Sequence, residues 1–101
     1  MLKQRTLRNP IKAVGIGLHT GKNISMELIP AKVNTGINFI RSDVDDNFLI
    51  PAIAENVGDT SLSTALIKEN IKISTIEHLL SAIAGLGVDN CIIKVNGPEV
   101  P

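Results

Sequence analysis

Ser74-Thr75-Ile76-Glu77-His78-Leu79-Leu80-Ser81-Ala82-Ile83-Ala84-Gly85 is the stretch on which the reading of this chain turns. Ile76, Leu79, Leu80 and Ile83 recur at i, i+3, i+4 and i+7, the apolar stripe of an amphipathic helix. Ser74 followed three residues later by Glu77 fits a capping box, and Gly85 fits the position just past the helix end. At about 100° per residue, His78 projects roughly opposite the apolar stripe and Glu77 lies to one side of it. Neither is forced into a core, and the small Ser81 and Ala82 on the same surface leave room for a close approach. The plain alternatives are that Glu77 is only the reciprocal partner in the box and His78 an ordinary solvent-facing imidazole.

The rest of the chain limits what such a helix can serve. Its 101 residues suffice for one compact domain. Apolar residues make up 44% and aromatics only 2%, so the core must be built from Ile, Val, Leu and Ala. A formal net charge of zero argues against a dedicated nucleic-acid binder. Charge is unevenly spread, however. Lys3, Arg5, Arg8, Lys12 and Lys22 all precede the first acid, Glu27, which suits a solvated strand edge or an anionic ligand. Cys91 is the single cysteine, which excludes a disulfide framework and a Cys-based zinc site. No secretory leader pattern and no membrane-length apolar run is present, so a cytoplasmic protein without a transmembrane segment is expected.

Ahead of the helix the chain alternates between short strands and turns. Gln4 to Arg8 and Lys12 to Ile16 are candidate strands; Ile24, Met26 and Leu28 alternate with polar residues up to Pro30. Asn34-Thr35-Gly36 signals a turn before a strand from Ile37 to Arg41, and Ser42 to Asn47 reads as a polar loop. Phe48 to Ala54 is extended but demoted to an edge by Pro51. Ser61 to Ile67 and Ile71 to Ser74 form a candidate hairpin, and Cys91 to Val95 a buried strand. Ile71 to Val95 thus reads as strand, helix, strand, giving an α/β or α+β class with one sheet face covered by helix. The chain stops at Asn96-Gly97-Pro98-Glu99-Val100-Pro101 without a terminal element and reads as cut short.

Three motif readings fail on their own chemistry or stay open. Gly15, Gly17 and Gly21 are spaced G-x-G-x-x-x-G and are followed by a strand pattern, so no helix N-terminus exists to meet a pyrophosphate. Asp43 to Asn47 resembles a calcium loop, but Phe48 and Ala54 occupy the positions that need glycine and the bidentate Glu. A zinc site beside Glu77 needs three protein ligands. The chain has only His19 and His78, so either the helix is inert or the missing ligands lie outside it.

Six segments taken in order change that balance: Gln4 to Leu7, Gly15 to Gly21, Asp59 to Thr64, Ile73 to Leu79, Ala84 to Asn90 and Val95 to Pro101. Together they resemble the first domain of the UDP-3-O-acyl-N-acetylglucosamine deacetylase family, zinc amidases of the committed step of lipid A synthesis in Gram-negative bacteria. The resemblance implies an α+β fold, a two-layer arrangement of sheet packed on helix, with residues 1–101 forming an incomplete first domain of two. It implies that His78 is a zinc ligand and Glu77 the general base that deprotonates the attacking water. His19 and the stretch Thr60, Leu62 and Ser63 would line the substrate path. The remaining zinc ligands, a histidine and an aspartate, belong to a second domain with no counterpart here. The alternative is a non-catalytic module that offers its basic opening to phosphate or RNA. On the first reading, the 101 residues alone have no deacetylase activity and at best weak zinc affinity. Isothermal titration checks this, and stoichiometric zinc binding at micromolar or tighter affinity would contradict it.

Overall fold

The computed structural model describes residues 3–17, 20–53, 56–59, 64–69 and 71–101. Among the described residues, eight strands and one helix follow in the order β1 (Ile11–Ile16), β2 (Asn23–Pro30), β3 (Ile37–Arg41), β4 (Ile50–Pro51), β5 (Val57–Asp59), β6 (Thr64–Lys68), β7 (Ile71–Ser74), α1 (Glu77–Gly85) and β8 (Cys91–Val95). A five-stranded sheet has the order β1-β2-β8-β3-β4, and β5-β6-β7 form a separate three-stranded sheet. All pairings are antiparallel except β3 with β8.

The last strand in sequence is central in space. In β8, Cys91, Ile93 and Val95 are buried while Ile92 and Lys94 are only half-buried, the period-2 pattern of a sheet with one covered face. Register places Leu28 and Phe39 on either side of Ile93, and Ile50 beyond Phe39. Leu66 and Ile73, a cross-strand pair of the smaller sheet, close the core from the opposite layer with Ile76, Ile83 and Val100. Phe39 is the largest fully buried side chain, and burying such a group contributes about 1.5–3 kcal/mol. The fold is therefore α+β in two layers, with the smaller sheet and the helix together covering the larger sheet. The cover expected from helix alone is thus supplied by strands as well. Pro30 ends β2 and Pro51 sits in β4 at the sheet edge, where a missing amide costs least.

Several expectations are corrected. Gln4 to Arg8 is no strand; a single bridge joins Thr6 to Asn90. This segment is fastened instead by polar groups. The Thr6 hydroxyl donates to the Asn90 carbonyl at 2.6 Å, and the amides of Asp89 and Asn90 donate to the Arg5 carbonyl. The strand, helix, strand order from Ile71 to Val95 holds, but β7 and β8 belong to different sheets. One edge of β7 is held by β6, while on the other Ser74 donates to the Pro98 carbonyl and accepts from the Val100 amide. With that position taken by the chain's last residues, β8 pairs elsewhere.

Both proposed helix caps move. The N-cap is Ile76 and makes no side-chain capping bond, because Ser74 is the last residue of β7 and is tied into strand pairing. At the other end Gly85 is the final helical residue. Gly87, with φ of 71°, takes the left-handed position beyond the Leu86 cap. Its amide donates to Ala84 and the Val88 amide to Ile83, a Schellman closure that satisfies the last carbonyls. Glycine is required there because an L side chain at such a φ costs about 1–2 kcal/mol. Gly87→Ala is accordingly expected to lower unfolding free energy by about 1 kcal/mol. Urea denaturation checks this, and an unchanged midpoint would contradict it.

Candidate functional site

The junction between β7 and α1 combines a left-handed residue with two buried side-chain oxygens that have no hydrogen-bond partner among the described residues. Ser74 is fixed by its two backbone bonds to Pro98 and Val100. Thr75 then adopts φ of 63°, a left-handed conformation that a β-branched residue rarely takes. This abrupt turn redirects the chain, and Ile76, fully buried, pins the start of the helix to the core. Its carbonyl accepts the first helical bond, from the Leu80 amide at 3.0 Å.

Glu77 and His78 follow with opposite fates. Glu77 is half-buried, and its Oε2 lies out of solvent without a hydrogen-bond partner among the described residues. The Thr75 Oγ1 is in the same condition. A buried polar atom left unpaired costs about 1–3 kcal/mol, so two such atoms beside a strained backbone mark a place organised for something other than stability. His78 is exposed, as are Ser81 and Ala82, which leaves its imidazole open to a ligand. Glu77 is the one acid in the first turn of the helix, where no side chain caps the amides.

A second cluster adjoins this junction. The β1–β2 connection is drawn tight by the Gly21 amide donating to the Gly17 carbonyl and the Gly17 amide to the Lys22 carbonyl. The Glu99 carboxylate, buried against this turn, accepts from the Thr20 amide at 3.3 Å and the Thr20 hydroxyl at 3.5 Å. A side chain at Gly17 would overlap Glu99, and one at Gly15 would meet Pro101 at 2.9 Å. Gly15 and Gly17 are therefore explained by the close approach of Pro101 and Glu99, and Gly21 by its φ of 69°, not by a phosphate.

Of the site residues expected from sequence, Glu77 and His78 are adjacent at the helix start. His19, Thr60, Leu62 and Ser63 lie outside the described residues. Thr75 and Glu99 were not anticipated. A threonine carries no signal of left-handed φ, whereas an acid between Pro98 and Val100 at an apolar boundary was a readable hint at Glu99.

Among the described residues no group of three or more His, Cys, Asp and Glu side chains could hold a metal ion. Two acids of the exposed loop, Asp43 and Asp46, pair with neighbouring cations. Arg41 holds Asp43 through two bonds, at 2.6 and 3.0 Å, and that guanidinium lowers the Asp43 carboxyl below the usual carboxylate range. Asp46 pairs with Lys94 at 2.9 Å. Cys91 is buried in the core, and burial pushes its thiol up, so it is a packing residue. In the basic opening, Lys12 stands opposite Glu27, which in turn stands opposite Lys94, so signs alternate across the sheet surface. No helix among the described residues is long and apolar enough to cross a membrane.

The strain at Thr75 has a measurable consequence. Thr75→Gly removes both the left-handed penalty and an unpaired hydroxyl, and is expected to raise unfolding free energy by about 1 kcal/mol. Thermal and urea unfolding check this; a less stable variant would contradict it.

Residues 4–101 match the family described as UDP-3-O-acyl N-acetylglycosamine deacetylase. Proteins named UDP-3-O-acyl-N-acetylglucosamine deacetylase from Hahella chejuensis, Saccharophagus degradans and Marinobacter nauticus are 56%, 57% and 54% identical to the chain over 101 residues. Each alignment covers 100% of the chain and 33% of the relative, so the chain spans about a third of the length of these curated relatives. With its two-layer fold and a match across all but the first three residues, the chain belongs to the UDP-3-O-acyl N-acetylglycosamine deacetylase family.

Proposed function

We propose that these residues form the first domain of a two-domain, zinc-dependent amidase that hydrolyses the N-acetyl group of UDP-3-O-acyl-N-acetylglucosamine in the cytoplasm, at the committed step of lipid A synthesis. The observation that carries the reading is the pairing of an exposed imidazole, His78, with a half-buried carboxylate, Glu77, whose Oε2 has no partner among the described residues. The printed names of the relatives supply the substrate class.

The donor chemistry fits zinc at one position. His78 offers a nitrogen lone pair, the commonest metal donor, from a solvent-facing turn. The other donors are assigned to the second domain, because the described residues hold no cluster of three. When bound, zinc supplies Lewis acidity to the amide carbonyl and acidifies water.

Glu77 does the proton work. Its Oε2 accepts a proton from the attacking water, and the carboxylic acid then returns a proton to the departing amine of the sugar. Neighbouring positions diverge by about 100° around a helix, so metal binding at 78 does not obstruct proton transfer at 77. Lodged at the strand–helix junction, Glu77 has little rotational freedom to lose on reaching the reacting geometry.

The test sets residues 1–101 in place of the matching third of the Hahella chejuensis relative. In that chimera Glu77→Ala is expected to lower kcat by about 10²–10⁴-fold with zinc content retained. His78→Ala is expected to lose zinc together with activity. Wild-type turnover in both variants would overturn the proposal. The 101 residues without the partner domain are expected to be inactive.

A further inference from the structure

Glu99 presents a problem that the proposed reaction does not solve. It is 1% exposed, between the apolar Val95 and Val100 of the core. A buried carboxylate is costly unless hydrogen-bonded, and a packed apolar side chain of similar size is often more stable in its place. Its contacts nevertheless link two parts of the molecule that lie far apart in sequence. The side chain receives the amide and hydroxyl of Thr20, in the turn between β1 and β2. The backbone bridges Ser74, whose carbonyl and amide bond the flanking Val100 and Pro98. Ser74 lies one residue before the left-handed Thr75 and three before Glu77. Gly17 makes the approach possible, since a side chain there would overlap the Glu99 Oε1 and lie 2.9 Å from its Cδ.

We infer that Glu99 is a positioning residue: its carboxylate fixes the Gly17–Thr20 turn, by the Thr20 amide and hydroxyl, to the strand end from which the Glu77–His78 turn departs. This role rests on the reading of Glu77 and His78 as reacting groups. It sets Gly17 and Thr20 against the strand end from which the Glu77–His78 turn departs. The retained carboxylate is thereby explained: an apolar substitute would pack but could not hold the Thr20 amide.

The chimera provides the test. Glu99→Leu is expected to remain folded with full zinc content and to lose about tenfold or more in kcat/KM, since small misplacements at a reacting centre have effects of that size. Glu99→Gln keeps an oxygen acceptor and is expected to recover most of that loss. Thr20→Val is expected to lower kcat/KM several-fold, and combining it with Glu99→Leu to add nothing further. Amide exchange at Thr20 gives a readout independent of turnover, expected to accelerate in Glu99→Leu and not in Glu99→Gln. Wild-type kcat/KM in Glu99→Leu, independent effects of the two substitutions, or unchanged Thr20 exchange would each overturn the inference. If Glu99→Leu does not fold, Thr20→Val decides alone, and a wild-type kcat/KM in it overturns the inference. Turnover surviving Glu77→Ala and His78→Ala would sink the proposed reaction instead, while Thr20 exchange would still report on the contact.

Discussion

The pairing of Ser74 with Pro98 and Val100 is the constraint on which the functional end of the molecule depends. Two backbone hydrogen bonds fasten the last turn of the chain alongside β7 and fix where that strand must stop. From this anchor Thr75 enters a left-handed conformation, Ile76 drops into the core, and Glu77 and His78 begin the helix. Without it, Ser74 would be free to cap the helix through its side chain, as its spacing to Glu77 suggests. The cap and the strand end compete for one residue, and the strand end prevails.

That outcome leaves the junction locally unfavourable. A β-branched residue in the left-handed region costs about 1–3 kcal/mol, and the Thr75 Oγ1 and Glu77 Oε2 add buried oxygens without a partner among the described residues. Small domains are stable by only about 5–15 kcal/mol, so such a concentration persists only where the surroundings over-determine it. Here they do. Ile73 and Ile76 are fully buried on either side of the junction, Ile83 is buried one and a half turns on, and the Gly87 closure ends the helix cleanly. Rigid packing around a strained turn suits the roles proposed for Glu77 and His78, a base and a metal donor that must not wander.

Much of this was legible in the sequence, and the failures have a common physical origin. The β3 strand from Ile37 to Arg41, the buried Cys91 to Val95 run and the edge position of Pro51 were recoverable because period, apolarity and proline chemistry act locally. His78 is exposed and Ile76 and Ile83 are buried, as helical spacing required. What local rules missed was decided by partners far along the chain. Gln4 to Arg8 looked like a strand but is bound by Asp89 and Asn90; Gly85 looked like the cap but Gly87 has the geometry; and β7 and β8 entered different sheets because residues 98–100 had already taken an edge of β7. At the site, adjacency of Glu77 and His78 could be read from sequence alone, whereas Thr75 and Glu99 acquire meaning only through tertiary contacts.

The central claim is that the Ser74-anchored turn presents the His78 ring outward as a donor to a metal completed by the rest of the protein. The most direct measurement is nitrogen-15 NMR of the His78 imidazole in the chimera during stoichiometric zinc addition. The account expects one ring nitrogen to shift in proportion to metal uptake, reaching its limit at one equivalent. A ring whose nitrogens stay unchanged while the protein takes up its zinc would contradict it.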